Sequence, residues 1–321
     1  MELRQIQYFV CLFEEGTVTR AAKRLNIVQP ALSMQIAKLE EELGQKLFER
    51  SQQGMQPTNA GRQMYRLFLP ILRDIVHARD QLLHTDGELS GHVNVGMIAS
   101  IAQGVLADAL REYAELHPKV SVTVADGYST MLADWVAGGQ LDAAVINKPR
   151  RPLGLNMEHI IDEDLTLITG TDYRQSLPPS VPFRMVQELE LALPTRHHGL
   201  RAILESFAQA EDVDLSPKLE TDSVISILKL VERTQFATIL PRISIANRQE
   251  LYGLRCYPII SPRLVRQVVC VTHPRRPLNP ASAAFISIIT KRLRSLDMPS
   301  ESNGTPGAKP SYPSDPAQQR T

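Results

Sequence analysis

Apolar positions along the chain recur first with a helical period and then as short strand-like runs, and the change of rhythm outlines the domain plan. Residues 3–13 place Leu3, Ile6, Phe9, Val10 and Phe13 three and four apart, the stripe of an amphipathic helix that Gly16 then ends. Thr17 can cap a short second helix through Leu25, in which Ala21 and Ala22 are small enough to let another helix approach. After a turn over 26–28, a third helix begins near Gln29 and Pro30, because proline is tolerated in a first turn, and runs to Leu43 with Gly44 as its stop. Leu32, Ile36, Leu39 and Leu43 share one face of it, and Pro30, Ser33, Met34, Ala37 and Lys38 share the opposite face. Two short helices joined by a tight turn, the second with small and polar residues outward, predict a helix-turn-helix over about 18–37.

The segment 46–50, a turn through Gln53 and Gly54, and the segment 55–58 read as a two-stranded ribbon or wing. From Thr58 a long helix follows to about Thr85, interrupted only by Pro70, with Leu67, Ile71, Ile75, Ala78 and Leu82 at helical spacing. A helix so long and so exposed needs a partner, and self-association through Leu67, Ile71, Ile75 and Leu82 is the simplest one. From His92 on, buried-strand runs at 93–97, 120–125 and 143–146 alternate with helical stretches at 101–116 and 130–137, which predicts a parallel α/β sheet. A strand at 165–169, helices at 200–209 and 224–232, and a strand at 238–240 repeat the theme, so two linked α/β lobes are expected. The expected domains are therefore 1–58, 59–88 and 89–297, followed by a Pro-, Ser- and Gly-rich tail at 298–321 that predicts disorder.

A length of 321 residues suits several compact units, and 43% hydrophobic with 22% charged residues is ordinary for globular domains. No apolar run reaches eighteen residues, and Glu2 and Arg4 stand where a secretory signal needs apolar ones, so a cytoplasmic protein without a membrane partner is expected. Cys11, Cys256 and Cys270 are far apart, which argues for reduced packing residues rather than disulfides or zinc ligands. A formal net charge of zero speaks against binding nucleic acid by bulk charge. Within 1–58, seven acids face seven bases, but Glu14, Glu15 and Glu40 to Glu42 cluster, which leaves the bases grouped elsewhere.

The order of LRQIQYFV, AAKRL, QPALS, LEEELG, LFER and PTNAG over residues 1–62 closely resembles the LysR-type regulators. A weaker likeness continues through GHVNVGMIAS, LPTRHHGLR, TDSVISILKLV, TILP and RPLNPAS to about residue 295. The resemblance implies a winged helix-turn-helix, a dimerising linker helix and a two-lobed α/β effector domain like a periplasmic binding protein. It also implies a homodimer or homotetramer that binds promoter DNA under control of a small-molecule effector, with RNA polymerase as a further partner and no cofactor. Val28 departs from the family's usual serine, which costs a helix cap, and Met34 stands where a polar or basic residue is usual. The family's glycine-rich segment is replaced by Thr234, Gln235 and Phe236, so an effector identity cannot be carried over from relatives.

For DNA reading, Val18, Pro30 and Ala37 belong to the motif, and Gln29 and Ser33 can hydrogen-bond base edges or phosphates. Met34 suits an apolar contact such as a thymine methyl, whereas Thr19, Arg20, Lys38 and Arg50 suit phosphates. For the effector, the strand-to-helix junction at Ala99 to Ile101 offers backbone donors to a small organic anion. By resemblance, Ser100, Tyr128, Thr130, Asn147, Thr195 and His198 line the cleft between the lobes, although capping or turn chemistry alone accounts for Ser100 and Thr130. Adjacent His197 and His198 lack a third ligand nearby, so no metal is implied. No nucleophile elbow, P-loop or dinucleotide fingerprint appears, which argues against an enzyme. The alternative function is a cytoplasmic small-molecule binding module that does not bind DNA, which the first 60 residues oppose.

Overall fold

A computed structural model describes residues 1–52, 54–83, 89–245 and 253–297. The first unit consists of α1 (Leu3–Glu15), α2 (Val18–Arg24) and α3 (Gln29–Leu43), followed by an antiparallel wing of β1 (Phe48–Ser51) and β2 (Gly54–Pro57). Phe9, Leu12, Ala21, Leu32 and Leu39 are fully buried at its centre, and the Phe9 ring lies 5.4 Å from that of Phe48. Glu40, buried near the end of α3, accepts the backbone N–H groups of Leu47 and Phe48 at 2.8 and 3.2 Å and the Lys46 ammonium at 2.7 Å. Burial alone raises its pKa, but these three donors outweigh that effect and hold it below the ordinary value. Leu43, expected on the buried face, is instead 40% exposed, because the helix ends there and its last turn outruns the core.

The linker helix α4 (Asn59–Leu83) starts on the Thr58 side chain, which accepts the Gly61 N–H at 3.0 Å. The Phe13 and Tyr65 rings stack at 4.0 Å and fix it to α1. The effector domain begins with β3 (Gly91–Met97), after which α5 (Ala99–Ile101) continues through a π-helical turn at 102–106 into α6 (Ala107–Leu116). Then come β4 (Val120–Asp126), α7 (Ser129–Ala137), β5 (Ala143–Asn147) and the long β6 (Asn156–Gly170). Further on lie β7 (Val181–Pro182), β8 (Ala192–Leu193), α8 (Gly199–Glu211), β9 (Leu219–Glu220), α9 (Val224–Arg233) and β10 (Thr238–Pro241). The last elements are β11 (Leu254–Ile260), β12 (Val265–Thr272) and α10 (Pro280–Asp297).

β3 pairs in parallel with β4 and β5, as the alternation of strands and helices requires. The rest of the sheet corrects the all-parallel expectation, because β12 runs antiparallel to both β5 and β6. The chain leaves the first lobe along β6 and returns along β12, and a returning strand enters from the opposite end. β6 belongs to both lobes: its first part pairs with β12, its second part with β10 and β11. Two separate cores result, one around Val95, Val145, Phe285 and Ile289, the other around Leu167, Leu204, Ile227 and Ile239. The expected end of the linker at 84–88 and the predicted disorder of 298–321 fall outside the described residues.

Candidate functional site

On the first unit, Gln29, Pro30, Ser33, Ala37 and Lys38 all stand exposed on α3, with Met34 63% exposed among them. Thr19 and Arg20 on α2 and Arg50 on the wing are exposed as well, whereas Val18 is half-buried and packs against the core. The Thr17 hydroxyl caps α2 by accepting the Arg20 N–H at 3.3 Å, while Val28 caps α3 without any side-chain bond. Acids and bases are not segregated as expected. Arg24 pairs with Glu14 at 2.7 Å and Glu15 at 3.2 Å, Arg20 reaches Glu15, and Lys46 pairs with Glu40. These local pairs absorb acids on the unit's sides, while Lys38 on α3 and Arg50 on the wing remain exposed. Along α4, Leu67, Ile71 and Ile75 are 58%, 47% and 41% exposed, an apolar stripe turned away from the unit's own core. Leu82 lies on the same helix, but its side chain is outside the described residues.

Between the lobes the centre is an arginine that the pattern reading missed. Arg266 of β12 is 1% exposed and donates from Nη1 to the Ser100 hydroxyl at 2.9 Å and to Asn147 Oδ1 at 3.3 Å. Its Nε and Nη2 donate to Glu163 Oε2 at 2.8 and 2.6 Å, and the other Glu163 oxygen accepts the Ile243 N–H at 2.8 Å. Ser100 and Asn147 are thus brought together, with a buried ion pair behind them. The available signal was a lone arginine inside the apolar run LVRQVVCV, opposite a glutamate in β6.

At the rim, Asp222 accepts the Thr195 N–H at 3.0 Å, the Thr195 hydroxyl at 2.7 Å and the Tyr128 hydroxyl. Tyr128 comes from the first lobe and Asp222 from the second, so this bond spans the cleft. Asp222 is raised by burial but lowered further by its bonds to Tyr128 and Thr195, and the bond to Asp222 raises Tyr128 in turn. His198 caps α8, its Nδ1 accepting the Leu200 N–H at 3.2 Å, with its ring edge-on to Tyr128 at 6.1 Å. Burial lowers its pKa and Arg266 adds to that, against the pull of Asp222, a direction that agrees with an unprotonated Nδ1 accepting the cap bond.

The starts of α7 and α8 meet at Gly199, where a Cβ would lie 3.1 Å from Asn147 Nδ2 and 3.3 Å from Ser129 Oγ. Among the described residues the buried Ser129 hydroxyl has no partner, and neither has that of Ser244 on the turn after β10. Thr130, by contrast, is exposed, and Ser129 one residue earlier takes the inward place. Cys256, expected as packing, is an exposed residue, while Cys11 and Cys270 are buried. A separate groove of about 890 Å³ lies beside α8, where Arg150 and Arg196 alternate with Glu205, Asp214 and Glu220. No helix among the described residues is long and apolar enough to cross a membrane.

Comparison with known proteins adds the family. Residues 3–62 match the family model described as "Bacterial regulatory helix-turn-helix protein, lysR family", and residues 86–294 match "LysR substrate binding domain". The nitrogen assimilation regulatory protein nac of Klebsiella aerogenes is 33% identical over 75% of this chain and 78% of its own length. The DNA-binding transcriptional dual regulator OxyR of Escherichia coli is 23% identical over 91% of this chain and 96% of its own. Among solved structures, a full-length OxyR variant from Pseudomonas aeruginosa superposes with a TM-score of 0.74 at 23% identity, over 92% of this chain and 95% of that one. Full-length CbnR complexed with its target DNA gives 0.65 at 22% identity, over 91% and 100%. The two matched family regions, the exposed α3 face and the two-lobed domain behind it agree on one assignment: the chain belongs to the LysR family of bacterial helix-turn-helix regulators.

Proposed function

We propose that this protein is a sequence-specific transcription regulator that binds double-stranded promoter DNA in the cytoplasm as a homodimer or homotetramer, and that a small organic anion in the cleft adjusts that binding. The observation that carries the DNA reading is the outward face of α3, where Ser33, Met34 and Ala37 leave room for the backbone to approach base edges, with the exposed Lys38 on the same helix and the exposed Arg50 on the wing available for phosphates. The exposed stripe of Leu67, Ile71 and Ile75 supports pairing through α4. A gel-shift assay with the region upstream of its own gene tests this. Specific retardation that survives competitor DNA is expected, and retardation no stronger than for random DNA would instead favour a small-molecule binding module.

The anion follows from the cleft's donors. The helical run that begins at Ala99, α7 and α8 all start there, and the hydroxyls of Ser129 and Ser244 have bonds to give. Glu163 already neutralises Arg266, which favours a small monoanion held by dipoles and hydroxyls over a ligand of high charge. Several relatives are named for hydrogen peroxide, but the thiols of this chain are poorly suited to reacting with it. Cys11 and Cys270 are buried, which raises their pKa, the latter to about 12, and Cys256, although an exposed residue, is raised as well by partial burial of its sulfur, so all three favour the thiol over the reactive thiolate. Thermal-shift screening of carboxylic acids tests the effector class, since a ligand that binds only the folded form raises its melting temperature.

A further inference from the structure

The linker helix and the first lobe meet at a joint that none of the roles above uses. Arg73 of α4 donates through Nη1 to the carbonyls of Gly139, at 3.3 Å, and of Gln140, just beyond the C-terminal end of α7. Arg276, in the turn after β12, donates to the carbonyls of Ala137 at 2.9 Å and Val136 at 3.3 Å on the same helix end. Two cations thus hold the negative end of one helix, where carbonyls without intrahelical partners collect. Gly139 adopts φ +74°, and a Cβ there would lie 2.5 Å from the Pro70 ring and collide with the Arg276 guanidinium, so linker and lobe are in close contact.

The other end of α7 is the cleft. Tyr128 and Ser129 stand at its start, one bonded to Asp222 of the second lobe and the other against Gly199. β12 spans the same two places, carrying Arg266 at the cleft and leading to Arg276 at the joint. From this we infer that α7, braced by β12, is the strut that carries lobe closure to the DNA-binding units, and that Arg73 is the positioning residue that couples it to the linker helix. The inference rests on the cleft being the sensor site. A change in how the second lobe pulls on Tyr128 displaces the start of α7, and the rigid helix passes the displacement to Arg73 and Pro70. Trp135, the only tryptophan in the chain, sits on α7 two residues before its end and reports on the joint.

The test is a double-mutant cycle on the full chain, which needs no identified effector. Tyr128→Phe removes the bond across the cleft, and Arg73→Met removes the joint's donor while keeping an apolar stem. The readouts are affinity for a selected DNA site, footprint length and Trp135 emission. In the otherwise wild-type chain Tyr128→Phe should change DNA affinity by about fivefold or more, the lower end of ordinary coupling between sites, and in the Arg73→Met background by less than about twofold. Gly139→Ala, which forces the linker away without touching Arg73, should uncouple in the same way, and Arg73→Lys should restore part of the response. Both joint variants should keep the oligomeric state of the parent, shift the Trp135 emission, and move DNA affinity in the same direction as Tyr128→Phe, because cutting the joint and releasing the pull free the linker alike. An equal effect of Tyr128→Phe in both backgrounds, or none in either, overturns the strut. If screened carboxylates still bind and Ser100→Trp abolishes that binding, the sensor reading stands and only the joint falls.

Discussion

Replacing Arg266 with methionine should be the most damaging single change in the effector domain outside its apolar cores. The guanidinium is 1% exposed and makes four hydrogen bonds, two to Glu163, which is itself 6% exposed, and one each to Ser100 and Asn147. Methionine has a similar reach, so packing is largely kept and the loss is electrostatic. Glu163 is left as a buried carboxylate with the Ile243 N–H for a partner, and breaking such a buried pair from one side costs about 3–5 kcal/mol. For a domain of this size, at roughly 2–4 °C per kcal/mol, the melting temperature should fall by about 6–20 °C. Arg263 supplies the control: it pairs with Asp164 at 2.6 and 3.0 Å, but the two side chains are 69% and 44% exposed. Arg263→Met should therefore cost no more than about 1 kcal/mol despite comparable geometry. Removing both buried charges with Arg266→Met and Glu163→Met should recover most of the loss, because an apolar pair of similar volume carries no desolvation penalty. Thermal and urea unfolding of the full chain measure all of these variants. A loss under about 1 kcal/mol for Arg266→Met, or a double variant no better than the single one, would refute the placement of burial over geometry as the deciding factor.

Val28→Ser should stabilise the DNA-binding unit by about 1 kcal/mol in denaturant unfolding, because Val28 already has extended cap geometry and is 68% exposed. Met34→Ala should alter relative affinities across a panel of mutated sites, whereas Arg50→Ala should weaken all sequences alike and reduce the slope of log affinity against log salt by about 1. An Ile71→Glu, Ile75→Glu double variant should sediment as a monomer, and an intact dimer would place the interface elsewhere. The lowered pKa of His198 means that the unfolded chain takes up its proton first as pH falls, so domain stability should decline from about pH 6.5 downward. His198→Asn, which can still cap α8, should flatten that decline.

The DNA-binding unit was legible almost residue by residue, because its signals are local: apolar spacing, a capping threonine, a proline in a first turn, glycines at helix ends. Leu43 escaped, since spacing identifies a face but not where the core stops. The parallel half of the first lobe was legible for the same reason. The antiparallel half was not, because the start of β6, Asn156 to Glu158 and His159, Asp162 and Glu163, is too polar to read as a strand. Its partner β12 lies about a hundred residues away, and no local pattern shows that pairing. The cleft divided along the same line. Ser100, Asn147, Thr195 and His198 stand at element ends that sequence can mark, but Arg266, Glu163 and Asp222 became site residues only through contacts between distant segments. At the start of α7 spacing alone did not single out Ser129, whose hydroxyl is buried without a partner among the described residues, from the exposed Thr130 beside it.

Everything proposed for the effector cleft and the linker joint depends on exposed α3 residues of a paired protein reading DNA. Binding sites can be selected from random duplexes, and the best of them footprinted with hydroxyl radicals. An enriched motif with two related half-sites is expected, protected on one face of the duplex and spaced by whole helical turns of about 10–10.5 base pairs. The protection should disappear for a chain carrying Ser33→Arg and Met34→Glu. Selection that enriches no motif, or protection that those two replacements leave unchanged, would contradict the DNA-reading role of α3.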